Sequence, residues 1–231
     1  MPGRRRVEKI KNNPILTKHQ KILLRHFAEW PGASKFYITA GTALSAFFLR
    51  HRLSEDLDFF TEEEVETELI LAFLKSLPEV QDLNLERKFD RKIFIIRYRD
   101  AGYLKVEFTK YPFKTIKPFK RVEGIQVDSI LDILANKFMA LTDRKDVKDY
   151  VDIYFILRDC PKPSIDEMVE ATEQKFGIKG LRYILQGRFL ECPEKGVELL
   201  NMKKECQDQE MAVFFKGLAR KLIKKSIGKS G

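Results

Sequence analysis

Apolar residues recur at helical spacing across 14–30, at Ile15, Ile22, Leu23 and Phe27, and Pro31-Gly32 stops the run. A short β-rich stretch, Phe36-Tyr37-Ile38-Thr39, comes next. Gly41-Thr42 then opens a second helix, with Leu44, Phe47 and Phe48 on its apolar face, and Leu57-Asp58-Phe59-Phe60 reads as a strand. Thr61-Glu62-Glu63-Glu64 has the form of a capping box and predicts a helix to about Leu77, ended by Pro78. Three β segments follow, 83–89, 92–99 and 103–111, joined by turns at Asp90-Arg91 and Asp100-Ala101-Gly102. In the last of them Leu104, Val106 and Phe108 alternate with Lys105, Glu107 and Thr109, a period of two. Residues 125–127 form one more candidate strand.

After Asp128-Ser129 the pattern becomes helical, over 130–142, 147–158, 165–176, 180–189 and 210–226. The last of these sets Val213, Phe214, Leu218 and Leu222 opposite Lys216, Arg220, Lys221, Lys224 and Lys225, the arrangement of an amphipathic cap. The expected organisation is therefore α+β. Residues 1–13 form a basic N-terminus expected to be flexible. Residues 14–128 form an α/β core with a mixed or antiparallel sheet and flanking helices, and 129–231 a helical bundle.

Composition narrows the class. A chain of 231 residues, 44% apolar and 33% charged, is long enough to bury a core without disulfides or a structural metal. No apolar run approaches the roughly 18 residues of a membrane span, so no membrane role is expected. The start, Met1-Pro2-Gly3-Arg4-Arg5-Arg6, lacks the apolar segment of a secretory signal. Cys160, Cys192 and Cys206 are odd in number and have no metal-ligand spacing, which points to a reducing, cytoplasmic setting. The net charge of +9 favours an anionic partner such as a nucleotide or nucleic acid.

The chemistry-bearing residues fall in three places. Gly41-Thr42, at a strand-to-helix turn, is a candidate phosphate cradle. Asp56 and Asp58, two apart on a strand, would project from one face and repel each other unless a cation sits between them. Hard oxygen ligands of this kind suit Mg²⁺. Alone, Asp-X-Asp is commonly a solvated strand edge, but the flanking Phe59-Phe60 marks this strand as buried. Glu107 would join the pair if its strand is a neighbour, and three carboxylates can hold two metals about 4 Å apart. Its bland alternative is a solvent-facing residue paired with Lys105. Lys137 beside an apolar helix face is either a snorkelling surface residue or a charge for a triphosphate. Asp149 and Asp152 share a helix face, where pairing with Lys145 and Lys148 would contribute only a few tenths of a kcal/mol.

Together these segments resemble a known family. Ala40-Gly41-Thr42-Ala43-Leu44, His51 through Phe60, Lys105-Val106-Glu107-Phe108, Asp132 through Leu141 and Arg144 through Asp152 are similar to the ordered motifs of the AbiEii/AbiGii toxins. These belong to the DNA polymerase β-like nucleotidyltransferases. The resemblance spans about residues 37–157 and implies a nucleotidyltransferase-type sheet with a helical domain completing the active site. It implies metal-dependent transfer of a nucleoside monophosphate from an NTP to an RNA, such as tRNA, or to a protein acceptor, with a cognate antitoxin as a further partner. Mg²⁺ is the implied cofactor, with Mn²⁺ as an alternative. The resemblance assigns metal ligation to Asp56, Asp58 and Glu107, and catalytic roles to these with Lys137 and Asp149. Nucleotide contact falls to Gly41, Thr42, Arg52, Ser54, Lys137, Arg144 and Asp152. Ala40 and Glu107 stand where the family commonly has Gly and Asp. The alternatives from other classes are a catalytically silent nucleic-acid or protein binder on this fold, or a phosphotransferase.

Overall fold

The computed structural model describes residues 10–160 and 162–227. Most of the basic segment expected to be flexible, residues 1–9, lies outside the described residues. The chain forms two units. One comprises residues up to Phe113 together with Pro118–Ser129, and the other comprises Lys114–Lys117 together with everything from Ile130 onwards.

The first unit holds a seven-stranded sheet. Its strands are β1 (Tyr37–Thr39), β2 (Leu57–Thr61), β3 (Val80–Lys88), β4 (Arg91–Tyr98), β5 (Tyr103–Lys110), β6 (Lys120–Val122) and β7 (Ile125–Val127). They lie in the order β3-β4-β5-β2-β1-β7-β6. The pairs β2/β5 and β1/β7 are parallel and the other four antiparallel, so the sheet is mixed and the fold α+β. β6 gave no signal of its own in the sequence, because Lys120-Arg121-Val122 has a single residue that favours a strand.

Alternation along β2 and β5 divides the sheet chemically. Phe59 and Phe108 are register partners and stack at 5.0 Å. Phe27 of helix α1 (Lys18–Glu29) lies 4.3 Å from Phe59, and Phe73 of helix α3 (Thr67–Lys75) lies 5.9 Å from Phe27. Burying such rings contributes roughly 1.5–3 kcal/mol each. One sheet face is thereby committed to core, and the residues between, Asp58 and Glu107, point to the other.

Several local expectations change. α1 starts at Lys18, because Thr17 and Gln20 form a capping box there; Ile15 is buried but precedes the helix. Thr61 does not cap α3. It ends β2, and its hydroxyl accepts from the Glu63 amide at 3.1 Å, a local turn that competes with helix initiation. α3 begins six residues later. Helix α2 (Ala40–Leu44) continues into a π-helical turn, Ser45–Leu49. That wider turn shifts the phase, so Ala43, Leu44, Ala46 and Leu49 are buried while Phe47 and Phe48 are half-buried.

The second unit contains α4 (Ile130–Asp143), α5 (Val147–Asp159), α6 (Ile165–Phe176), α7 (Leu181–Leu190) and α8 (Asp208–Ile227). Phe189 sits between Phe138 at 6.3 Å and Phe215 at 5.1 Å. The buried stripe of α8 is Met211, Phe215, Leu218 and Leu222, whereas Val213 is 67% exposed. The apolar face is therefore rotated from the one expected. Asp132 of α4 ties the short segment 114–117 into this unit. Its carboxylate accepts from the Ile116 and Lys117 amides at 2.7 and 3.0 Å and from Lys175 Nζ at 2.8 Å. Among the described residues no helix is long and apolar enough to cross a membrane.

Candidate active site

The site residues of the first unit are set by register and by a pinned loop. Thr39, Asp58 and Glu107 are partners across β1, β2 and β5, so all three leave the sheet on one face. Asp56 lies one residue before β2, and Lys105 lies two before Glu107 on the same face. The loop that leads to Asp56 is held from both sides. The Gln20 side-chain amide donates to the Ser54 and Glu55 carbonyls at 2.8 and 3.0 Å. The Thr42 hydroxyl donates to the Asp56 carbonyl. Thr42 is fully buried, so its hydroxyl fixes backbone.

Gly41 belongs to the same cluster. A Cβ at this position would come within 2.6 Å of Arg52 Nη2 and 3.0 Å of Ser54 Oγ. A guanidinium and a hydroxyl thus lie against bare backbone, with Arg52 almost wholly buried and donating to the Leu53 carbonyl at 3.0 Å. Gly41, Thr42, Arg52, Ser54 and Asp56 are therefore assembled around one turn. Ala40, just before, has φ = 59°, a left-handed backbone that an alanine adopts at a cost of roughly 1 kcal/mol.

Glu107 is 3% exposed, not solvent-facing, and its partner is Arg91 instead of Lys105. Arg91 Nε and Nη2 donate to the two carboxylate oxygens at 2.5 Å each, and Thr109 Oγ1 donates at 2.7 Å. Lys105 Nζ instead meets Asp56 Oδ2 at 2.7 Å. Burial pulls the Lys105 pKa down. The hydrogen bond to Asp56 and the charges of Asp56, Asp58 and Glu107 outweigh it, so the net direction is upward from 10.5. All three carboxylates therefore favour the charged form of Lys105. Arg91 and Gln20 were missed in the sequence, because a bidentate clamp and a loop pin are made across strands and helices with no local period to betray them.

Among the described residues no three histidine, cysteine or carboxylate side chains converge as a ready metal-binding group. Asp56 turns to Lys105 and Glu107 to Arg91. The donor set is nonetheless hard oxygen, and two side-chain cations already sit on it, which is the chemistry a divalent cation needs.

The second unit carries its own cluster. Lys137 Nζ meets Asp149 Oδ1 and Asp152 Oδ2 at 2.7 Å each, and Arg144 Nε meets Asp149 Oδ2 at 2.7 Å. Both aspartate side chains are fully buried, and Lys137 is 8% exposed. Lys137 is thus no surface snorkeller. The i,i+4 pairings give way as well, since Lys145 meets Glu191 at 2.9 Å and Lys148 meets Asp146 at 3.2 Å. Burial would raise the Asp149 pKa. The charge of Lys137 and the Arg144 hydrogen bond outweigh it and hold the carboxyl below the usual range.

The chain matches a family model described as nucleotidyl transferase AbiEii toxin of a type IV toxin–antitoxin system, over residues 21–224. The chain belongs to the AbiEii family. It is a nucleotidyltransferase by that membership. An uncharacterised protein of Aquifex aeolicus is 29% identical over 147 residues, 62% of this chain and 68% of that one. The crystal structure of JHP933 from Helicobacter pylori superposes with a TM-score of 0.63 at 18% identity, covering 93% of this chain and 96% of that one. A second H. pylori crystal structure also gives 0.63, at 17% identity, covering 91% and 97%. At such identity these two show the fold alone.

Proposed function

We propose that this AbiEii chain transfers a nucleoside monophosphate from an NTP to a hydroxyl of an RNA or protein acceptor, as the toxin of a toxin–antitoxin pair. The observation that carries this reading is the register of Asp58 with Glu107, which sets two carboxylates side by side on one sheet face beside Asp56.

Asp56, Asp58 and Glu107 are the residues that would hold Mg²⁺ or Mn²⁺. The cation, when bound, would neutralise triphosphate charge and stabilise the attacking and leaving oxygens. Gly41, Arg52 and Ser54 receive the phosphates, because the missing Cβ lets a guanidinium and a hydroxyl lie against backbone. Thr42 and Gln20 hold the turn that carries Asp56. Of the roughly four lone-pair sites of a carboxylate, Arg91 and Thr109 occupy three on Glu107. The remaining one would be left to hold the cation or to accept the proton of the acceptor hydroxyl. In the helical unit Arg144 is the most exposed member of its cluster, at 52%. We assign phosphate contact to Arg144, with Lys137, Asp149 and Asp152 holding it in place.

A catalytically silent binder draws on one observation, that Lys105 and Arg91 already neutralise two of the three carboxylates. Incubation with each α-³²P-labelled NTP, Mg²⁺ and total cellular RNA and protein separates the two readings. Label on a macromolecule, lost in Asp58→Asn, supports transfer; no label with any NTP supports the binder.

A further inference from the structure

The tip of the β3–β4 hairpin departs from what sheet stability alone would select. Its last two cross-strand pairs are Arg87↔Lys92 and Lys88↔Arg91. Both are cation opposite cation, an arrangement that destabilises an antiparallel pair. Arg91 is compensated by Glu107. Among the described residues Arg87 and Lys88 form no ion pair, and Lys92 Nζ reaches only the Phe89 carbonyl at 3.5 Å. Between these cations stands Phe89, 92% exposed at φ = 51°. A bulky side chain in the left-handed region is strained, and at this exposure it gains almost no burial in return.

Strained, exposed and ringed by cations, Phe89 has the composition of a base-stacking platform with phosphate contacts on either side. The tip is also anchored to the candidate site. The Lys110 amide donates to the Asp90 carbonyl at 3.1 Å. Lys88, Arg91 and Thr109 form one row across the sheet, on the face that carries Glu107 and Asp58. β3 lies two strand spacings, about 10 Å, from β5.

We propose that Phe89 and Lys88, with Arg87 and Lys92 adding positive charge from the opposite face of the hairpin, dock single-stranded RNA and lead its end onto the face of Asp58 and Glu107. The naming of this RNA as the acceptor rests on the nucleotidyl-transfer reading; the docking itself does not. An acidic protein would satisfy the cations but leaves the strained, isolated ring without a use.

The test is fluorescence anisotropy of a labelled single-stranded oligouridylate RNA of about 12 nucleotides, with Asp58→Asn protein so that binding is read without chemistry. Adding Phe89→Ala should weaken binding about 10-fold, as loss of one stacked base does. Adding Arg87→Glu with Lys88→Glu should weaken it further and flatten the dependence of log affinity on log salt by roughly 0.7 per lost charge. Melting temperature, read in parallel, should not fall, since these side chains are exposed and each new Glu faces a cation across the hairpin. Equal RNA affinity in all variants would overturn the proposal. So would binding of a polyglutamate peptide, in place of RNA, with the same variant dependence. If RNA binding follows Phe89 but no NTP labels any acceptor, the docking surface stands and the transfer reading falls. If RNA is labelled with an unchanged KM in Phe89→Ala, the reverse holds.

Discussion

Asp58 and Glu107 are Cα partners in the parallel pairing of β2 with β5. Two acidic side chains side by side on one face gain nothing for the sheet, since like charges opposite one another destabilise it. Arg91 offsets that repulsion at Glu107, and Lys105, paired with Asp56, adds a positive charge that both Asp58 and Glu107 feel.

Asp58→Asn should therefore keep the fold and lose transfer by at least about 100-fold, the scale of one charged group acting on the reacting centre. Its far-ultraviolet circular dichroism spectrum should match that of the parent. Retained labelling by α-³²P-NTP in this variant would remove Asp58 from the site.

Arg91→Ala should cost roughly 1 kcal/mol of stability, the lower end for a charge-assisted clamp because Arg91 is half exposed. Combined with Glu107→Gln in a double-mutant cycle, the two losses should be less than additive. Urea unfolding of the four proteins measures this, and strict additivity would mean the clamp is weak in solution.

Two neighbouring substitutions should move in opposite directions. Ala40→Gly relieves the φ of 59° and should raise stability by up to about 1 kcal/mol. Gly41→Ala drives a Cβ against Arg52 and Ser54. The nearest atom is the end of a flexible side chain, so the fold should survive while the apparent KM for NTP rises several-fold. Thermal melts and initial rates separate the two effects.

Lys137→Met leaves Asp149 and Asp152 buried with their shared cation gone and should destabilise by about 3–5 kcal/mol. The same pair sets an acid limit. The Asp149 carboxyl stands below its ordinary value of 3.8 in the folded state. Its contribution is thus fully present above that value and is lost as pH falls through the folded one. Melting temperature should be flat on this account from neutral pH to about 5 and decline below about 4. In Lys137→Met the decline should begin at higher pH. Identical acid profiles would show that Lys137 is not the cause.

Reading the chain shows its periods and hides its partners. The alternation in 103–111 alone sets Glu107 on the face opposite Val106 and Phe108, and the pattern after Ser129 marks each helix to within a few residues. Which strand would lie beside Glu107 is a non-local fact, as is the Arg91 clamp. For Asp149 and Asp152 the only partners visible in one dimension are Lys145 and Lys148 at i,i+4 spacing, too weak a pairing to account for the cluster; the observed partner, Lys137, comes from another helix. Thr61 carried the letters of a helix cap, and a two-residue turn won instead.

The carboxylate of Asp132 holds the backbone of 116 and 117 within the helical unit, and the chain then goes back to add β6 and β7 to the sheet before leaving again at Ile130. Three crossings interleave the two units like a stitch. A cut after Phe113 strands β1 without its parallel neighbour, and a fragment beginning at Ile130 strands Asp132 without the amides it accepts from. Neither unit is one continuous stretch of chain, so neither can be exchanged by joining gene segments end to end, and sheet and helices must be redesigned as a single piece.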